Sequence, residues 1–143
     1  MRNISVYIFV FFVLASTCWA EYKAVFVGYP NIRHICDEKI KVVTDQIYGD
    51  KKDEYKCIIT KDDEGAYYWA SRENKLLVHR ISGAYDIFVE ISGAGIIKIA
   101  DDYFLSVSDE NRPKLGESYQ YFESMSLGLA TYAYWGKANS FNP

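Results

Sequence analysis

Six short β-type runs between residues 55 and 108 limit what this chain can become, because runs of this kind fold only by pairing with one another. They cover 55–60, 66–71, 76–82, 85–92, 95–100 and 103–108, and turns bearing Asp, Asn or Gly separate them. Ile81-Ser82-Gly83-Ala84 recurs as Ile91-Ser92-Gly93-Ala94. The repeat reads as two similar strand-end turns in an antiparallel meander, not as a repeated domain. Leu76-Leu77-Val78 and Ile96-Ile97 are apolar on both faces, as expected of strands covered on both sides.

The flanks read differently. Residues 23–29 form a first strand, stopped by Pro30-Asn31. Residues 37–48 read as the main helix, with Ile40, Val43 and Ile47 on one stripe, Asp37 and Glu38 at its start and Gly49 at its stop. The charged cluster 50–54 is then a solvated turn. Near the C-terminus Phe122, Met125, Leu129 and Tyr132 match a helical stripe, and 137–143 reads as a frayed tail. The expected fold class is α+β: one main N-terminal helix packed on an antiparallel β-sheet, with a C-terminal extension over 110–143.

The N-terminus has the three parts of a secretory signal peptide. Arg2 is the positive region, residues 6–15 are unbroken apolar, and Cys18 and Ala20 stand at −3 and −1 before Glu21. The apolar run is about half the roughly twenty residues that a membrane span needs. The expected product is residues 21–143, a single secreted domain with no membrane partner after cleavage. Loss of Arg2 leaves 15 basic against 19 acidic residues, a balance that argues against binding nucleic acid by bulk charge. Cys36 and Cys57 remain, and two cysteines in an oxidising compartment most simply form one disulfide. Its loop of about 21 residues would stabilise the fold by roughly 3 kcal/mol.

Chemistry is scarce. His34 and His79 are the two histidines, and no nucleophile motif accompanies either. The spacing of His34-Ile35-Cys36 does not match a zinc site, and the expected disulfide removes the best ligands. Gly93-Ala94-Gly95 lacks the third glycine and the helix of a dinucleotide loop. Asp62-Asp63-Glu64, Asp101-Asp102 and Asp109-Glu110 all occupy expected turns, where carboxylates are ordinarily solvated. No catalytic residue, metal or cofactor is expected.

Three segments resemble small secreted microbial ribonucleases of the T1/F1 type, whose helix precedes an antiparallel sheet. Ala66-Tyr67-Tyr68-Trp69-Ala70-Ser71 resembles their Tyr-Tyr-Glu-Trp-Pro-Ile strand. Ser82-Gly83-Ala84-Tyr85-Asp86-Ile87-Phe88-Val89 resembles Pro-Gly-x-Asp-Arg-Val-Val-Phe, and Gly95-Ile96-Ile97-Lys98-Ile99 resembles Gly-Val-Ile-Thr-His. The matches keep order and spacing over roughly 36–100. The catalytic Glu, Arg and His of those enzymes correspond to Trp69, Ile87 and Ile99, so neither an acid–base pair nor a phosphate clamp is kept. In this the chain resembles the RNase-like effectors secreted by powdery-mildew fungi, which have lost catalysis and act inside plant cells by binding host components.

The resemblance implies a secreted, catalytically inactive RNase-like virulence effector, with translocation into a host cell as one destination. Its partner would be a host protein first and RNA second. Candidate binding residues are Tyr67, Trp69, Arg72, His79 and Arg80, with Tyr67 and Trp69 on one strand face for stacking. Two other readings stay open. One is an active secreted hydrolase or ribonuclease using His79, which His79 and Glu90 together in an open cleft would favour. The other is an unrelated extracellular β-rich binding or inhibitor module, favoured by a topology without a helix before the meander.

Overall fold

The computed structural model describes residues 21–106 and 110–143. The signal segment read at 1–20 and the end of the run at 103–108 lie outside the described residues. Nine strands are formed among those described: β1 (Lys23–Cys36), β2 (Val42–Gln46), β3 (Cys57–Lys61), β4 (Tyr67–Trp69), β5 (Lys75–Ser82), β6 (Tyr85–Glu90), β7 (Gly95–Asp101), β8 (Tyr119–Leu127) and β9 (Ala130–Ala138). The two helices, α1 (Lys51–Glu54) and α2 (Asp102–Leu105), are single turns. Every pairing is antiparallel. Strands β3 to β9 follow in sequence order, and β1 pairs with both β3 and β9, which closes eight strands into a barrel. Strand β2 lies outside the ring, on the second half of β1.

This corrects the α+β expectation. Residues 37–48 do not form the main helix, because Val42-Val43-Thr44 is a β-branched run that loses rotamer freedom in a helix and packs well on a sheet. Asp37 turns the chain instead. Its Oδ1 accepts the backbone N–H groups of Lys39 and Lys41, and β2 returns along β1. Pro30 does not stop β1 either. It stands opposite Gly136 at the start of a bulge, a place where a strand tolerates a residue without an N–H. The C-terminal stripe is a hairpin. Tyr119, Tyr121, Glu123 and Met125 share one face of β8 at a period of two, which overrides the weaker helical spacing. The tail is not frayed: Phe141 packs on Phe26, Phe88 and Tyr119, and the Asn142 N–H donates to the Val25 carbonyl.

An eight-strand barrel is narrow enough for its own side chains to fill it. Phe26, Ile59, Trp69, Phe88, Ile97 and Ile99 do so here, all essentially inaccessible. Glycines make the room. A Cβ at Gly95 would overlap the Trp69 ring, and one at Gly136 would overlap both the Tyr29 carbonyl and the Tyr121 ring.

The expected Cys36–Cys57 disulfide is also corrected, since both are free thiols. Cys57 pairs with Gly28, and Cys36 lies eight residues further along β1, a separation of roughly 26 Å at strand rise. A disulfide needs Cα atoms within about 7 Å. Burial and the Glu123 charge push the Cys57 thiol well up, so it resists reagents. The folded mature protein is therefore expected to react with a thiol reagent at Cys36 alone, and at both cysteines in denaturant. A mass unchanged by alkylation in denaturant without reductant would contradict this.

Candidate functional site

The five residues singled out from sequence do not converge on one site. Tyr67, Trp69 and His79 point into the barrel, Arg72 caps one end, and Arg80 stands on the outer wall. Trp69 is core and cannot stack on a ligand.

At the end formed by the β4–β5, β6–β7 and β8–β9 turns, a line of charges and rings closes the barrel. Asp45 binds Arg33 at 2.6 Å, and the Arg33 guanidinium lies 4.9 Å over the Tyr55 ring. Tyr55 stacks on Tyr134 at 5.9 Å, and Arg72 lies 5.7 Å from the other ring centre and 2.8 Å from Glu123 Oε1. Glu123 is fully buried, and neither carboxylate oxygen takes a well-aligned hydrogen bond. Burial lifts its pKa to about 7 against the opposing pull of the Arg72 charge. Arg72 is thus committed inside the molecule.

At the opposite end His79 Nε2 and Asp86 Oδ1 are 2.6 Å apart. The imidazole stacks on Phe88 at 4.5 Å and meets the edge of Tyr67. Glu90, the partner sought for a hydrolase, lies at the other end with Lys75 and Ser92. The arrangement that would mark His79 as a catalytic base in an open cleft is not formed. Asp86, Asp101 and Tyr119 line a cleft of about 280 Å³ here, with Phe104 and Phe141 among its apolar walls. Asp101 is held by the N–H groups of Tyr103 and Gly116.

The outer wall has the opposite character. Three outward rows cross β5 to β9 in register: Val78, Val89, Ile96, Ser124, Ala133; Arg80, Ile87, Lys98, Phe122, Trp135; and Ser82, Tyr85, Ala100, Gln120, Lys137. None is acidic. The four carboxylates of these strands, Asp86, Glu90, Asp101 and Glu123, all take the inward parity, and each has a partner there. Trp135 packs on Phe122 at 4.7 Å and receives His34 at its edge, yet remains 40 % exposed. Tyr85, Lys98, Leu105, Gln120, Phe122 and Trp135 line a groove of about 290 Å³. Lys137 reaches Asp102 at 3.8 Å, whereas Arg80 and Lys98 have no carboxylate partner among the described residues. No protein-family model, curated protein or solved structure matches this chain. The site therefore rests on its own geometry.

Sequence reasoning finds Arg80 and the strand that carries Lys98. It does not bring Phe122 and Trp135 beside them, because the helical stripe through Phe122, Met125, Leu129 and Tyr132 competes with a strand reading of β8 and β9. A usable signal was present: Asp86 and Glu90 share the parity of Phe88, which is core, so the opposite parity had to face outward.

Proposed function

We propose that the mature chain is an exported binding module that docks a partner protein on the outer wall of β5 to β9. The observation that carries this reading is the sorting of charge. In a chain with an acidic total, the carboxylates of five adjacent strands turn inward, and their outer wall keeps unpaired Arg80 and Lys98 among exposed apolar and aromatic side chains. Contiguous apolar surface of this kind marks an interaction site, and Trp, Tyr and Arg are the residues that anchor interfaces. The complementary surface is acidic and apolar. Two copies of this chain are poor partners through the wall, since two-fold pairing would oppose like charges without a carboxylate between them. RNA fares worse, because tight backbone binding neutralises about 6–10 phosphates and this wall offers two free cations. Among the described residues only the single turn α1 precedes the meander and no long helix does, which favours the unrelated binding module over an RNase-like domain. Of the expectations drawn from the resemblance, action by binding is the part retained.

Panning a random peptide library on the folded domain tests this. Enriched peptides should combine Asp or Glu with large apolar residues, and Lys98→Glu or Trp135→Ala should weaken them about tenfold, roughly 1.4 kcal/mol. Peptides that bind both variants as tightly as the parent, or saturable binding of a single-stranded RNA, would overturn the assignment.

A further inference from the structure

Two neighbouring turns at the Glu123 end of the barrel expose aliphatic residues at their tips, and one of them, Ile40, stands where turn geometry favours glycine or asparagine. Ile40 holds φ at 62°, in the left-handed region that β-branched residues avoid, and is 84 % exposed. In the β8–β9 turn Gly128 supplies the positive φ, and Leu129 beside it is 80 % exposed. The tips are adjacent. Cys36 pairs with both Val42 and Thr131, and Lys39, Leu127 and Leu129 line one cleft between the two turns. Among the described residues neither Ile40 nor Leu129 is buried against the fold, and a strained, exposed apolar residue such as Ile40 is where function is to be sought.

We propose that these tips insert into the surface of an anionic lipid bilayer. The inserted set is aliphatic, which suits hydrocarbon, whereas interface anchors are enriched in Trp, Tyr and Arg and poor in Leu and Val. The side chains stand on two protruding turns, a shape that enters a soft surface more readily than a fixed pocket. Lys39 and Lys41 flank Ile40, are exposed, and make no ion pair among the described residues, so their ammonium groups can meet lipid phosphates while their stems stay apolar. Asp37 keeps its negative charge while accepting the backbone N–H groups of those same two lysines, and Glu38 is a second carboxylate. The turn is therefore neutral overall, and its pull on lipid phosphate comes from where the two ammonium groups stand, on either side of Ile40. The inference does not rest on docking at the outer wall, and it replaces the expectation of no membrane partner.

Co-sedimentation of the mature domain with phosphatidylcholine vesicles, with and without about 30 % phosphatidylserine, tests it. The protein should pellet with the anionic vesicles and much less with the neutral ones. Leu129→Glu should lower the partition coefficient about tenfold, as loss of a buried aliphatic side chain requires. Ile40→Gly should also lower it while raising the melting temperature, because glycine accepts the left-handed backbone; a merely structural role for Ile40 would not separate the two readouts. Trp135→Ala should bind vesicles like the parent even if it loses peptide binding. No pelleting with anionic vesicles, equal pelleting with neutral ones, or full binding by Leu129→Glu would each overturn the proposal.

Discussion

Replacing Trp69 with alanine is expected to cost the mature domain about 3–5 kcal/mol of unfolding free energy and to lower its Tm by about 10–20 °C. The ring is 1 % exposed and lies over Gly95, with Cys57 and Glu123 against it. Closed strands on every side prevent the wall from collapsing into the space left behind, so most of the cavity persists. A companion variant makes the cause specific. Gly95→Ala pushes a methyl into the same ring, and Trp69→Phe should relieve much of that cost, giving a non-additive pair. Chemical denaturation of the parent, Trp69→Ala, Gly95→Ala, Trp69→Phe and the Gly95→Ala/Trp69→Phe double variant measures both effects. A Trp69→Ala cost below about 1 kcal/mol would mean that the ring is solvent-facing, as a stacking residue would be.

The second large effect is a pH dependence centred on Glu123. Its folded pKa is about 7 against an ordinary 4.5, so the folded state holds a proton that the unfolded state releases. The associated stability is fully present below pH 4.5 and is lost as pH rises through 7. The difference amounts to about 3 kcal/mol. Glu123→Gln keeps the shape and removes the titration. Between pH 4.5 and pH 8 the parent should therefore lose about 3 kcal/mol relative to this variant. The loss of the Arg72 counter-charge offsets the variant by a constant and leaves the slope difference intact. Asp62, lowered chiefly by the Ala66 N–H, adds an opposite trend at acid pH that is common to both proteins and cancels. Parallel stability curves for parent and variant would show that Glu123 is ionised throughout, with Arg72 fully compensating its burial.

The middle of the fold was legible because its signals are local. The strands β3, β5, β6 and β7 fall within two residues of the runs read from their turn residues, and a two-residue turn leaves few topologies open. The ends were not legible for a physical reason. A helical stripe through Ile40, Val43 and Ile47 coexists with a β-branched run, and only the pairing of β2 with the second half of β1 decides between them. The same contest was misread at Phe122 and Met125. Closure is a non-local event, so no window of sequence contains it. Its consequence for the site is direct: without β8 and β9 as strands, Lys98, Phe122 and Trp135 share no surface. The cysteine pairing failed differently. Counting thiols ignores distance, and β1 runs straight past the reach of a disulfide.

Barrel closure fixes which side chains face outward, and backbone NMR of residues 21–143 tests it most directly. Cross-strand NOEs should connect Arg33 with Tyr134 and Ile35 with Tyr132, and strand-type shifts should cover 42–46. Helical shifts over 37–48, with no contacts between β1 and β9, would contradict the closed barrel and with it the acid-free outer wall.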